Sequence, residues 1–295
     1  MNLLNTLSFI LKHPLNLNHK WAALRRYFYW QIGSRLLPGA VAVRFVNDSR
    51  LLVSPGMTGA TGNIYTGLHE FEDMSFVLHF LRKNDVFVDI GANVGTYTVL
   101  AAAVVGAKTL SIEPIPRTFS HLMDNINLNN IHDIVEAYNI GVGRKNEILK
   151  FTTALDTINH VVSDDIGGGA INMPVNSLDN IVGEFEPVLI KIDVEGWETE
   201  VIAGAERILS NQSLLAVIME LNGSGKQYGY DELALHNLMV DYGFKSFSYL
   251  PFNRLLVPLE EKNTQSGNTL YIRDIESVIE RVKTASAFLI NGQQL

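Results

Sequence analysis

The residues best suited to chemistry follow short apolar runs. Val86–Thr98, VFVDIGANVGTYT, places Asp89 before a turn with glycines at 91 and 95. Glycine at 91 permits a sharp turn and close backbone approach to a ligand, and Gly95 lets a helix start near the strand. The dinucleotide fingerprint is not met, because Asn93 and Thr96 stand where its second and third glycines belong; a pyrophosphate cofactor is therefore disfavoured. No Lys-Ser/Thr follows the glycines, which excludes a Walker loop. The turn Gly91-Ala92-Asn93-Val94-Gly95 instead suits an amino-acid ligand. Asp89 can accept from its ammonium, and N–H groups at the helix start can face its carboxylate, worth about 0.3–1 kcal/mol. Glu113 lies 24 residues after Asp89, near the ~20-residue offset at which an acid meets ribose hydroxyls. Ammonium, carboxylate and ribose without phosphate describe S-adenosylmethionine. A tight turn with two unrelated acids is the plainer alternative, disfavoured because strand, turn, helix, strand and acid fall in order.

A second acidic group comprises Asp193 and Glu195, after the run Val188–Asp193, and Glu220, near the end of Leu214–Leu221 and just before Asn222. Methyl transfer from a sulfonium is an in-line displacement. Holding the acceptor at near-attack distance can supply about 7–11 kcal/mol, and a well-placed base adds about 10²–10⁴ in rate. Asp193 and Glu195 could contact substrate and cofactor, although Glu195 could instead neutralise the start of the helix at Glu198. Glu220 could join Asp193 around a hydroxyl or a divalent cation. His160 has a suitable titration range for a base, but a lone loop histidine is more often solvated. Trp197 reads as packing or a substrate wall. No metal-ligand spacing is diagnostic, and the carboxylates suit Mg²⁺ or Ca²⁺ only loosely, so a metal requirement stays open.

Elements that would position these residues alternate strand and helix. Strands are predicted over 86–90, 109–113, 134–140, 188–193, 214–221 and 269–273, with helices over 71–82, 97–105, 117–129, 198–209 and 231–240. That alternation predicts a doubly wound, mostly parallel α/β sheet. Residues 1–40 read as one or two helices broken near Pro14. Val41–Val53 reads as a hairpin around Asn47-Asp48-Ser49, and Pro55–Gly67 as a glycine-rich loop. The stretch 141–182 is too long for a simple crossover. It reads as an insertion near the site, with strands at 147–152 and 171–175 and a flexible Gly167-Gly168-Gly169 loop.

Composition agrees with a globular chain: 295 residues, 47% hydrophobic and 18% charged, enough for one large domain with an extension. The absence of cysteine excludes disulfides and thiolate sites and is compatible with a cytoplasmic setting. The net charge of −8 is uneven: residues 1–50 hold seven basic side chains against Asp48 alone, a net +6 that leaves −14 on the rest. An acidic body argues against nucleic-acid binding. The longest apolar run, Val99–Val105, is too short to span a bilayer, and no secretory signal pattern is expected. In Arg25–Gln31, RRYFYWQ, aromatic and basic residues stand side by side. This fits either a helix packed on the main domain with snorkelling arginines or peripheral contact with an anionic membrane face through residues 1–40.

VFVDIGANVGTYTVLAA, SIEPIPRTFSHLMDNINLNN and VLIKIDVEGWETEVIAGAERIL together resemble the FkbM family of S-adenosylmethionine-dependent methyltransferases. The similarity runs from about Tyr65 to Arg273, and Lys191–Gly196, KIDVEG, is its most distinctive piece. It implies a Rossmann-like class I methyltransferase fold with a seven-stranded sheet over 65–295, preceded by an extension over 1–64. It also implies methyl transfer to oxygen, often a sugar, glycan or polyketide hydroxyl, and cofactor contacts at Asp89, Gly91, Asn93, Gly95 and Glu113. Asn139 and Gly141 would lie near the adenine, and Tyr65 and Glu70 would belong to a segment closing over the cofactor. Two other classes compete. A non-catalytic module keeping the fold is disfavoured by the intact turn. An enzyme acting on nitrogen is disfavoured because Asp193-Val194-Glu195-Gly196 replaces the Asn/Asp-Pro-Pro-Tyr/Phe signature.

Overall fold

The computed structural model describes residues 3–36, 39–152, 160–162 and 170–295; the glycine triplet at 167–169 lies outside them. Helices α1 (Leu3–Lys12) and α2 (Lys20–Leu36) precede a hairpin, β1 (Val41–Arg44) and β2 (Arg50–Val53). Then come α3 (Thr58–Thr66), α4 (Phe71–Phe80), β3 (Val86–Ile90) and α5 (Thr96–Thr98), which runs on as a π-helix over Val99–Val105. Strand β4 (Lys108–Ile112), helix α6 (Pro116–Leu128) and strand β5 (Val135–Tyr138) follow. The long crossover contributes β6 (Gly141–Val142), β7 (Glu147–Thr152), β8 (Val161–Val162) and β9 (Ala170–Asn176), then α7 (Leu178–Val182). Next are β10 (Leu189–Ile192), α8 (Glu198–Ala203), α9 (Glu206–Ser210), β11 (Ala216–Glu220) and α10 (Glu232–Asp241). The chain closes with β12 (Lys245–Leu250), β13 (Leu255–Pro258), β14 (Asn268–Ile272), α11 (Ile275–Thr284), β15 (Leu289–Ile290) and β16 (Gln293–Gln294).

The central sheet runs β13-β12-β14-β11-β10-β3-β4-β5. Strands β5, β4, β3, β10 and β11 pair in parallel, while β14 lies antiparallel between β11 and β12. This is the expected Rossmann-like, class I arrangement: seven strands with one reversed, extended by β13 as an eighth at the edge. The sheet is buried on both faces. Phe87, Leu189 and Ile218 join a cluster with α4 and the N-terminal helices, whereas Val88, Ile190 and Val217 join the opposite one with α8 and α9. That two-sided burial explains the nearly continuous apolar runs. Strand β12 went unrecognised in the sequence because Lys245, Ser246 and Ser248 dilute it; its pairing with β14 defines it.

The stretch read as a loop over 55–67 is helical in its centre. Two glycines in α3 lower its intrinsic propensity, so tertiary partners must hold it. Arg26 donates to the carbonyls of Ile64 and Tyr65, and Asn16 donates to Tyr65. These bonds satisfy acceptors that the last helical turn would leave open. The crossover folds into its own small sheet, β6-β9-β7-β8.

Candidate active site

A cleft opens at the carboxyl ends of β3, β4, β10 and β11. Its walls include Asp89, Gly91, Ala92, Asn93, Glu113, Gly141, Asp193, Glu195 and Glu220. Thus the turn after β3, the acid after β4 and the three later carboxylates, far apart in sequence, meet in one place, as ligand sites in open α/β sheets do.

The turn is shaped by contacts that exclude side chains. Gly91 has φ +74°, and a Cβ there would sit 1.8 Å from the Asp193 carbonyl oxygen. Gly95 has φ +87°, and a Cβ there would approach Leu122 Cδ1 to 2.5 Å. The amides of Gly91 and Ala92 both donate to the Ile112 carbonyl, Asn93 donates to Glu113 Oε2, and Val94 to Asn93 Oδ1. Gly95 donates to the Ala92 carbonyl. The amides of residues 91–95 are therefore committed inside the protein and the turn contributes shape, so a ligand carboxylate would have to meet amides of the helix start, from Thr96 onward.

Asp89 is 1% exposed. Its Oδ2 accepts from Thr98 Oγ1 at 2.8 Å, while Oδ1 is buried with no partner among the described residues. Burial raises its carboxyl to about 6, against the opposing pull of Lys191. Glu113 accepts from Asn93 and, through Oε1, from Ile115 at 2.9 Å, and burial raises it to about 7. Each of its oxygens retains acceptor capacity. An orphaned, buried acceptor beside a dicoordinated carboxylate fits S-adenosylmethionine: Asp89 could take its ammonium and Glu113 its ribose hydroxyls.

Across the cleft, carboxylate oxygens of Asp193, Glu195 and Glu220 lie within 4.8 Å of one another. Glu195 adopts φ +55°, an uncommon conformation for a residue with a side chain, of the kind that concentrates at functional sites. Gly196 follows at φ +100°, where a Cβ would meet the Ser224 backbone at 2.7 Å. Burial and the Asp193 charge raise Glu195 to about 7; burial, then Asp193 and Glu195, raise Glu220 to about 9. Like charges this close, in a partly buried site, favour keeping a proton on Glu220 at neutral pH. The three carboxylates could share protons around a hydroxyl, or hold a hard divalent cation through oxygen.

Lys191, to which the sequence assigned no role, organises this side. It is 2% exposed, with Nζ 2.7 Å from Asp193 Oδ2 and 4.7 Å from the centre of the Tyr97 ring. Burial alone would lower its pKa, but Asp193, Glu70 and Asp89 outweigh that and raise it above the ordinary lysine value. A lysine inside the apolar run Leu189-Ile190-Lys191-Ile192 was the available signal, since a buried charge must be paired. Tyr97 in turn donates to Glu70 Oε2 at 2.7 Å, and Asn268 donates to Asp73 Oδ2 at 2.9 Å.

Other expected residues divide. His160 and Trp197 line the cleft; Trp197 stacks edge-on against Tyr228 at 5.0 Å. Glu70 lines it too, but Tyr65 does not: its ring meets Tyr27 of α2 and its hydroxyl accepts from Gln31. Asn139 also stays out of the wall. Its Nδ2 donates to the carbonyls of Glu113 and Pro114, steadying the segment after β4. Gly141 packs against Phe151, which a Cβ there would meet at 2.8 Å. Thr58, Gly59, Ala60 and Asn63 of α3 form a wall that the loop reading of that stretch missed.

The family model for the Methyltransferase FkbM domain matches residues 89–246, and the chain belongs to that family. Hexuronic acid methyltransferase AglP of Haloferax volcanii is 28% identical over 158 residues, covering 52% of this chain and 62% of the relative. Methyltransferase 1 of Beauveria bassiana is 29% identical over 161 residues, covering 46% and 64%. The chain thus spans less than two thirds of the length of these relatives. Among solved structures, a TehB-like SAM-dependent methyltransferase from Corynebacterium glutamicum aligns with a TM-score of 0.42 at 10% identity, covering 74% of this chain and 95% of that one.

Proposed function

We propose that this chain is an S-adenosylmethionine-dependent O-methyltransferase whose acceptor is a hydroxyl on a sugar, glycan or related small metabolite. The observation that carries this reading is the meeting, in one cleft, of the Asp89–Gly95 turn and Glu113 with the Asp193, Glu195 and Glu220 carboxylates. The relative named for hexuronic acid supports a carbohydrate acceptor. In this proposal an extension over 1–64 precedes a catalytic domain over 65–295, and the three carboxylates could hold a divalent cation through oxygen.

When bound, S-adenosylmethionine supplies an electrophilic methyl on a sulfonium. Asp89 Oδ1 and Glu113 would hold the cofactor's ammonium and ribose ends. Lys191 holds Asp193 Oδ2, which leaves Oδ1 to orient the acceptor hydroxyl and accept its proton. Glu220, whose proton burial and then the charges of Asp193 and Glu195 retain near neutral pH, donates to an adjacent acceptor oxygen, and Glu195 borders the same hydroxyl. Trp197 and Phe151 exclude water from that side of the cleft.

The test is incubation with methyl-labelled S-adenosylmethionine and a panel of uronic acids, neutral sugars and amines, with products read by mass spectrometry. Label on a hydroxyl oxygen is the expected result. Label on nitrogen alone, or no turnover despite cofactor binding, would overturn the O-methyl reading.

A further inference from the structure

Helix α2 is apolar on two opposite sides, and only one is covered. Ala23, Tyr27 and Trp30 point inward and are buried against the core. At 100° per residue, Trp21, Arg25, Phe28, Ile32, Arg35 and Leu36 fall within an arc of about 100° on the other side. There Trp21 is 85% exposed and Leu36 73%. A helix whose core face is already satisfied has no folding reason to present a second apolar face to water. Contiguous exposed apolar surface of this kind marks a contact with another phase or molecule.

Charge selects the occupant. Residues 1–47 contain no aspartate or glutamate, while the rest of the chain beyond residue 50 carries −14. Arginines interleaved with tryptophan, phenylalanine and isoleucine match a headgroup layer, in which aromatic rings sit at the apolar boundary and guanidinium groups reach anionic phosphates. The acidic body would be repelled by the same surface, so the asymmetry also orients the molecule. A second copy is the poorer partner: a two-fold contact on this face would bring the Arg25 and Arg35 side chains of both chains together.

We propose that the outward face of α2 docks this protein on an anionic phospholipid surface, as a peripheral contact. No helix among the described residues is long and apolar enough to cross a membrane, which makes an in-plane contact the relevant mode. The docking residues do not line the cleft, so the inference stands apart from the proposed methyl transfer and its test needs no turnover.

The experiment is co-sedimentation of the full chain with vesicles of phosphatidylcholine alone or mixed with phosphatidylserine. Binding is expected to the mixed vesicles, weakened by salt. It should fall at least about tenfold in Trp21→Ser/Phe28→Ser and in Arg25→Glu/Arg35→Glu, with circular dichroism confirming the fold of each. A readout that avoids destabilising changes is quenching of tryptophan fluorescence by acyl-brominated phospholipid, which Trp21→Phe should largely remove. Absence of binding to the mixed vesicles by the folded chain, equal binding by both double variants, or quenching untouched by Trp21→Phe would each overturn the proposal. A dimer that Trp21→Ser/Phe28→Ser dissolves would likewise assign the face to a second copy.

Discussion

Replacing Asp89 by asparagine should stabilise the ligand-free protein at alkaline pH while weakening cofactor binding. Asp89 is fully buried, and one of its oxygens has no described partner. Its carboxyl is raised by burial from 3.8 to about 6. Because the folded value exceeds the unfolded one, the associated stability is fully present below about pH 4 and is lost as pH rises through 6. The shift corresponds to about 3 kcal/mol, of which about 2 kcal/mol develops between pH 4.5 and pH 8. Asparagine has nearly the same shape and no charge. Wild type and Asp89→Asn should therefore diverge by about 2 kcal/mol over that pH range, in favour of the variant at the alkaline end. Urea denaturation at the two pH values measures this divergence. Calorimetry at neutral pH should meanwhile show S-adenosylmethionine binding weakened by about 1.5–3 kcal/mol, the worth of a hydrogen bond to a charged partner, or some 10- to 150-fold. A wild-type-minus-variant difference that is identical at both pH values would refute the burial argument. Unchanged affinity would remove Asp89 from the cofactor site.

Four further outcomes follow from the same geometry. Asp193→Asn should lower kcat by about a hundredfold or more while calorimetry finds cofactor affinity within a few-fold of wild type. Gly91→Ala should abolish cofactor binding, or folding itself, because its Cβ would lie 1.8 Å from the Asp193 carbonyl oxygen; thermal melting with and without cofactor distinguishes these. Lys191→Met should destabilise the protein, by less than the about 3–5 kcal/mol of a fully buried pair because the Asp193 left behind is partly exposed, measured by urea denaturation at neutral pH. With Glu220 raised to about 9, turnover should decline as pH rises through that region and its proton is lost; Glu220→Gln should flatten that limb of the kcat profile.

Much of the sheet is legible in the chain because a strand buried on both faces must be apolar throughout, and the runs at 86–90, 189–192 and 216–220 are nearly so. The glycine turn is legible for a related reason. At position 91 a side chain would collide with the backbone of the loop carrying Asp193, and that constraint leaves its mark in residue type. Helix α3 resisted such reading because its stability resides elsewhere: Arg26 and Asn16, some forty to fifty positions away, supply donors that its own residues lack. Strand β12 was hidden by its lysine and serines and defined by pairing.

The candidate site divides along the same line. Acids at strand ends were visible one by one, since residue type and position after an apolar run are local properties. That Asp193, Glu195 and Glu220 converge, that Lys191 balances one of them, and that Asn139 and Tyr65 turn away to support neighbouring segments are matters of distance across the sheet. Sequence alone determined which groups were available and which backbone positions had to be free of side chains. Tertiary structure decided which charges share a cleft and how burial shifts their protons, because Coulomb energy and desolvation depend on separation in space.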